Sequence, residues 1–390
     1  MKLKNRFRIY TIYVIHYILH IFYLFPLDKK KIIFSSYRGE KITCNPYYVY
    51  LKFIEKHPNH NVYWLSKDND KSRIREQDKI ISPKGLIFFY HLLTASVIVD
   101  NDGFKSYIPI RKRQLYINTW HGGGLFKSAY GGTRSKEEIE YSERIKKIKK
   151  RSSIKVLIST SEAWTKINAR YRFKYNGEIL KSGYPRNDIF FKNNDELILK
   201  VKAALGIRQD EKIVVFAPTF RGGLLNRLDG ECIVDNLDVN QLISSLEKRF
   251  GGVFRFVYRG HHASHLVLNV NGVDATDYID MQELMIIADV FISDYSSCLW
   301  DFSLTYKPCL IFGPDFDEYL QNPGFESDYR EWPFPIAKSN DELSQKILSF
   351  DTEQYKVDVE NYLKKYGSYE DGHASERVVR CIENGLEIKD

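Results

Sequence analysis

From Lys31 onward the sequence alternates short apolar runs with segments of helical length, the pattern that parallel strands and their crossover helices leave in a chain. A first series predicts strands at Ile32 to Ser35, Asn61 to Leu65, Lys79 to Ser82, Val97 to Asp100, Gln114 to Asn118 and Val156 to Ser159, with a helix over about Pro46 to His57. Gly183 to Asp188 breaks the rhythm and leads into a helix from Asn194 to Leu205. A second series predicts strands at Lys212 to Ala217, Arg255 to Tyr258, Asp274 to Thr276, Val290 to Ser293 and Pro308 to Phe312, and finishes in helices. A single core rarely grows beyond about 250 residues. Two series in 390 residues therefore predict two Rossmann-like α/β domains facing each other across a cleft. Ligands in such sheets bind at the carboxyl ends of the strands, so the residues just past each strand carry the search for function.

The first 28 residues read differently. Lys2, Lys4, Arg6 and Arg8 precede an apolar, aromatic-rich stretch from Ile9 to Phe25, closed by Pro26 and then Lys29, Lys30 and Lys31. Signal peptides open in this way, but no small-residue cleavage site follows. The stretch is about the minimum length for a bilayer span, and its tyrosines and His16 and His20 prefer the interface. Residues 1–28 are therefore read as a membrane-associated helix whose flanking cations meet anionic lipid, peripheral or monotopic on the cytoplasmic face. The competing reading is a first helix buried against its domain. His16 and His20 are expected at the polar edge of this helix rather than on a metal. The remaining boundaries fall at 29–190 and 191–390.

A formal charge of +8 calls for an anionic partner, whether a nucleotide, a phosphopolymer or an acidic membrane surface. Nucleic acid is not expected. The cations are dispersed, the one dense run from Arg144 to Arg151 reads as a solvated helix face, and no nucleic-acid module is present. Cysteines at 44, 232, 298, 309 and 381 form no CxxC pair, which argues against a disulfide framework or zinc site and for a reducing compartment. No metal and no other cofactor is expected.

The strand ending at Asn118 runs into Thr119, Trp120, His121, Gly122, Gly123 and Gly124. An imidazole beside side-chain-free backbone lets a phosphate or hydroxyl substrate approach main-chain N–H groups, and histidine is suited to accept a proton near neutral pH. The bland alternative is a flexible turn with an incidental histidine. A GxGxxG fingerprint is absent, so a nicotinamide enzyme is not indicated. Thr219, Phe220 and Arg221 follow the strand ending at Ala217, and Arg259, His261 and His262 follow the one ending at Tyr258. Both sets suit an oxyanion. Ser296 and Ser297, past the strand ending at Ser293, start a helix whose unpaired N–H groups suit phosphate, although serine there also serves as a plain cap. Asp301 lies one turn further on, placed to take a ribose hydroxyl, and Arg186 stands in the Gly183 to Asp188 turn at the domain junction.

Together the segments NTWHGGGLFK, SGYPRND, FAPTFR, YRGHH, ADVFISDYSSCLWDF and KPCLIFGPDFDEY, with the later GFESDY, resemble the CDP-glycerol glycerophosphotransferase family, whose members prime and polymerise teichoic acids and related capsular polymers. The resemblance spans roughly residues 115 to 330. It implies a GT-B-like fold with a CDP-glycerol or related CDP-polyol donor held mainly by the second domain, and a lipid-linked or polymeric acceptor. It also implies His121 as general base, and Arg186, Thr219, Phe220, Arg221, Arg259, His261, Ser296, Ser297 and Asp301 as donor or phosphate contacts, with His261 rather than His262 as the inward imidazole. Where many members have Thr-Pro after His-Gly, this chain has Gly123 and Gly124, a change expected to loosen the acceptor-side loop. Two rival readings remain: a glycosyltransferase of the same fold using a nucleotide sugar, and a non-catalytic membrane scaffold that binds a phosphopolymer.

Overall fold

The computed structural model describes residues 3–126, 154–219, 236–260, 272–322 and 324–386. It divides into two compact units, one of Met1–His121, Thr133–Asp188 and Tyr369–Asp390, the other of Gly122–Gly132 and Ile189–Ser368.

Unit 1 is built on seven strands: β1 (Asp28–Ser35), β2 (Val62–Leu65), β3 (Lys79–Ile81), β4 (Ala95–Asp100), β5 (Leu115–Asn118), β6 (Val156–Ser159) and β7 (Glu178–Lys181). All pair in parallel, in the order β3-β2-β1-β4-β5-β6-β7. Every residue of β4 and β6 is buried, as expected of central strands covered on both faces. The order reverses between β1 and β4, so the carboxyl ends of β1, β4 and β5 surround a topological switch point. Helices α1 (Leu3–Ile18), α2 (Cys44–Lys56) and α3 (Gly85–Thr94) belong to this unit.

Unit 2 repeats the plan with six strands: β8 (Lys212–Ala217), β9 (Phe254–Tyr258), β10 (Gly272–Asp274), β11 (Val290–Ser293), β12 (Cys309–Phe312) and β13 (Ile336–Ala337). They are parallel in the order β10-β9-β8-β11-β12-β13, reversing between β8 and β11.

Helix α4 (Ala374–Leu386), placed by the sequence reading in the second domain, is part of unit 1. Its Val378, Val379, Ile382 and Leu386 join the cluster formed by Phe34, Tyr50, Phe53, Trp64, Val97 and Val99. Asp188 holds its start, accepting the N–H groups of Ala374 (2.9 Å) and Ser375 (2.7 Å), and Glu383 near its end meets His57 Nε2 at 2.8 Å. The SGYPRND segment is therefore in large part an anchor for this helix.

The N-terminal segment buries one face and exposes another. Ile9, His16 and Leu19 are buried, and Leu19 sits in the cluster with Phe88, Leu92 and Ile108. Tyr10, Tyr17, Ile18, Ile21 and Leu24 are exposed, as are Leu86 and Ile87 on α3. The α-helix ends at Ile18 and continues as a 3-10 segment, Leu19–Leu24. His16 is not at a polar edge: it is 2% exposed, with Nδ1 3.2 Å from the Tyr107 carbonyl.

Candidate active site

At the switch point of unit 1, three strand exits are tied together. β4 ends in Asp100, whose carboxylate accepts from Gly103 N–H (2.6 Å), Tyr116 Oη (2.9 Å) and Asn118 Nδ2 (2.7 Å). Burial pushes this carboxyl up to about 7, against the pull of those donors. The bonds fix the turn that presents Asn101 and Asp102. Past β5, Trp120 adopts φ +50°, a left-handed conformation that costs a non-glycine residue about 1–3 kcal/mol. Two bonds hold it there: its N–H donates to Asn118 Oδ1 (3.0 Å), and its carbonyl accepts from Asn45 Nδ2 (3.0 Å).

His121 follows, half-buried and stacked on Trp120, with ring centroids 4.6 Å apart and planes at 22°. The Tyr37 ring, from the exit of β1, lies 5.6 Å away. His121 Nδ1 is 2.7 Å from the Asn101 carbonyl oxygen. A carbonyl only accepts, so Nδ1 carries the proton and Nε2 keeps its lone pair. Burial lowers the pKa of this histidine below its ordinary 6.5, and Arg186 and Arg38 lower it further, while the Asn101 bond and Asp102 oppose the shift. The result is a neutral imidazole at neutral pH with Nε2 as a proton acceptor.

Arg186 stands near enough to act on His121 electrostatically. It is buried, with its N–H donating to Asn45 Oδ1 (3.1 Å) and Nη1 3.1 Å from Cys44 Sγ. Asn45 thus braces both the histidine turn and the arginine turn. Tyr37, Arg38, Asn45, Asn101 and Asp102 escaped the sequence reading, although four of them follow β1 and β4 directly and the strand-exit rule points to them.

The glycines after His121 have a packing explanation. A Cβ on Gly123 would come within 2.7 Å of the Trp300 indole, and one on Gly124 would strike the ring of Phe126. The Leu125 carbonyl accepts from Ser327 Oγ (2.7 Å) and the Phe126 carbonyl from Glu326 N–H (3.0 Å). Gly122 to Phe126 is therefore a strap fastened to the GFESDY segment within unit 2, and the expected loosening is not what the packing gives.

The other described candidates lie in unit 2. Thr219 donates both its N–H (2.9 Å) and Oγ1 (2.6 Å) to the buried Asp294 carboxylate. Arg259 Nη1 donates to the Ala275 carbonyl at 2.6 Å and to those of Thr276 and Tyr278, so one edge of the guanidinium secures the turn after β10. Burial lowers its pKa, and Cys298 and three aspartates counter the shift. Ser296 Oγ accepts from Cys298 N–H (3.3 Å), a short cap, whereas Ser297 makes no side-chain capping bond. Asp301 is 1% exposed and accepts from Gln282 Nε2 (3.3 Å), a position inside the unit's packing. Phe220, Arg221 and His261 lie outside the described residues, as does the run from Arg144 to Arg151. Among the described residues no group of three His, Cys, Asp or Glu side chains gathers as a metal site.

Two doubly wound parallel units of this order are the fold of GT-B-like transferases. A solved structure of the wall teichoic acid polymerase TagF superimposes on this chain with a TM-score of 0.80 at 24% identity, covering 99% of this chain and 98% of that one. The chain belongs to the CDP-glycerol:poly(glycerophosphate) glycerophosphotransferase family, whose model matches residues 16–384. Among its relatives is a teichoic acid poly(glycerol phosphate) polymerase of Bacillus spizizenii, 30% identical over 91% of this chain and 92% of its own length. Another, from Bacillus subtilis and with the same description, is 30% identical over 92% of this chain. The match spans 49% of that longer protein, so the chain covers about half of it.

Proposed function

We propose that this chain transfers glycerol phosphate, or a related polyol phosphate, from CDP-glycerol to a hydroxyl of a lipid-linked or polymeric acceptor in teichoic acid or capsule synthesis, with release of CMP. The observation that carries the reading is the bond from His121 Nδ1 to the Asn101 carbonyl, which leaves Nε2 as the base. The acceptor oxygen attacks the β-phosphorus of the donor. Its bond to phosphorus forms as the bond from β-phosphorus to the bridging oxygen breaks, and CMP leaves with that electron pair. His121 Nε2 takes the acceptor proton. Positioning and charge neutralisation supply most of the acceleration in phosphoryl transfer. On the donor side Thr219, Phe220, Arg221, Arg259, His261, Ser296 and Ser297 are the candidates for holding the pyrophosphate, and Arg186, which acts on His121 electrostatically, is the candidate in unit 1. Asp301 enters as a support for their helix rather than as a ribose ligand, given its burial.

The chain is further proposed to lie on the cytoplasmic face of an anionic membrane, its exposed apolar residues at Tyr10, Tyr17, Ile18 and Ile21 in the interface. The test of the chemistry is CMP release from purified protein supplied with CDP-glycerol, CDP-ribitol or nucleotide sugars, with membrane extract as acceptor source. CMP from a CDP-polyol, reduced about a hundredfold to ten-thousandfold in His121→Ala, supports the reading. Turnover of a nucleotide sugar alone, with a nucleoside diphosphate as product, replaces it with glycosyl transfer.

A further inference from the structure

We propose, on the reading of His121 as the base, that Asn45 is a positioning residue: it sets the rate of transfer through His121 and meets neither substrate. Asn45 lies in the first turn of α2 and is 0% exposed. A ligand does not reach its amide, so the amide acts on the protein alone. Nδ2 donates to the carbonyls of Thr119 (3.1 Å) and Trp120 (3.0 Å), and Oδ1 accepts the Arg186 N–H (3.1 Å). Thr119 and Trp120 are the two residues that precede the base. An asparagine at a helix start ordinarily turns its side chain onto the free N–H groups of that helix. Here it is turned away from them, onto two other turns, and Cys44 beside it takes φ +62°.

The backbone these bonds hold is strained. Trp120 stands at φ +50°, which a glycine would adopt at no steric cost. Glycine would make the turn and lose the indole. That indole is stacked on the imidazole, and on its own account packs against Phe173, with centroids 4.6 Å apart and planes at 56°. Phe173 follows directly on the π-helical stretch Thr165–Arg172, a rare form that recurs at functional sites. The left-handed residue is thus a tryptophan where it lays an aromatic face against the base, and strain of this kind persists only where the surroundings impose it.

The two bonds on Trp120 do different work. Asn118 Oδ1 holds its N–H, on the strand side. Asn45 holds its carbonyl, which belongs to the peptide joining Trp120 to His121. Rotation of that peptide swings the imidazole away from the Asn101 carbonyl, the partner that keeps the proton on Nδ1. Through Oδ1 the same side chain fixes the turn of Arg186, the guanidinium that acts on the ring electrostatically. One buried amide therefore sets the ring against Asn101 and keeps the Arg186 turn in register with it.

Two measurements on the full-length chain test this. The first is CMP release from CDP-glycerol by Asn45→Ala, His121→Ala and the double variant. Asn45→Ala should lower kcat by about tenfold or more, and in the His121→Ala background by less than about twofold, because residues that act as a unit do not add. Equal losses in both backgrounds are what a general weakening of the fold gives, and they overturn the proposal, as does a kcat of Asn45→Ala within about twofold of the parent chain. The second measurement needs no turnover. The His121 ring is titrated by NMR in protein carrying nitrogen-15-labelled histidine, its signal identified by its loss in His121→Ala. The ionisable groups around that ring are Tyr37 and Arg38 after β1, Asp102 after β4 and Arg186 after β7, and burial is the largest cause of its lowered midpoint. In Asn45→Ala the midpoint should rise toward 6.5 and the neutral ring should lose its preference for the proton on Nδ1. An unchanged midpoint with the proton still on Nδ1 overturns the positioning role. Should Asn45→Ala not fold, Asn45→Ser, uncharged and too short to span from Trp120 to Arg186, replaces it in both measurements. A chain that releases no CMP refutes the phosphotransfer reading alone, and the titration then decides the role of Asn45.

Discussion

The proton on His121 Nδ1 decides what this residue can do. Its bond to the Asn101 carbonyl directs the free lone pair of Nε2 outward, and burial among Arg186 and Arg38 keeps the ring neutral below the usual histidine range. Because the pKa is lowered, the base form survives further into acid than a free histidine would. The acid limb of kcat/KM should therefore have its midpoint below 6.5, and activity should be lost only as pH falls through that value. A pH profile with CDP-glycerol checks this: a midpoint above 6.5, or a limb that persists in His121→Ala, removes His121 as the titrating base. The same neutrality costs base strength, which explains why Asp102 lies close by, its charge partly restoring basicity.

Among the elements, the strap from Gly122 to Phe126 and the helix carrying Trp300 are fitted to one another. Gly123→Ala puts a methyl group 2.7 Å from a buried indole, an overpacking change worth about 1–3 kcal/mol. It should lower the thermal midpoint of the protein, and Trp300→Phe in the same chain should recover part of the loss; an unchanged midpoint in Gly123→Ala would mean the strap is loose. Glycines of this kind are ambiguous in a sequence, because close backbone approach to a ligand and close approach to a tryptophan leave the same mark. The central strands were legible, since β4, β6, β8 and β11 are continuous apolar runs. The strands that escaped, β7 and β13, lie at sheet edges: Glu178–Lys181 is at most half-buried and Ile336–Ala337 is two residues long, so neither carries a buried apolar signature. His121 and Arg186 were legible as titratable or charged residues in glycine-rich turns. Asn45 was not, because its contribution is a set of amide bonds placed by tertiary contacts; Asn101 stands at a strand exit, but it acts through a main-chain carbonyl that its residue type does not mark.

For the molecule as a whole, the proposed membrane contact and the folded core draw on different faces of the same N-terminal segment. Deleting residues 1–27 would strip Ile9, His16 and Leu19 from the core of unit 1, so release from membranes is better tested on the exposed face. Ile18→Glu with Ile87→Glu removes two isoleucines that are 62% and 69% exposed in the free protein. At about 1.5–3 kcal/mol for each side chain buried in an apolar phase, partitioning onto anionic vesicles should fall by about a hundredfold or more, with the thermal midpoint unchanged. Sedimentation with vesicles measures it, and full retention of the double variant would place the membrane contact elsewhere. The return of α4 to unit 1 has a consequence for synthesis. Domains generally mature in the order in which they leave the ribosome. Here the first sheet lacks Val378, Val379, Ile382 and Leu386 until residue 386 has emerged, whereas the chain of unit 2 is complete at Ser368. His121, made early, thus sits in a unit whose core is completed only when the last helix emerges, and a nascent chain stalled before Ala374 leaves the cluster of Phe34, Trp64, Val97 and Val99 incomplete.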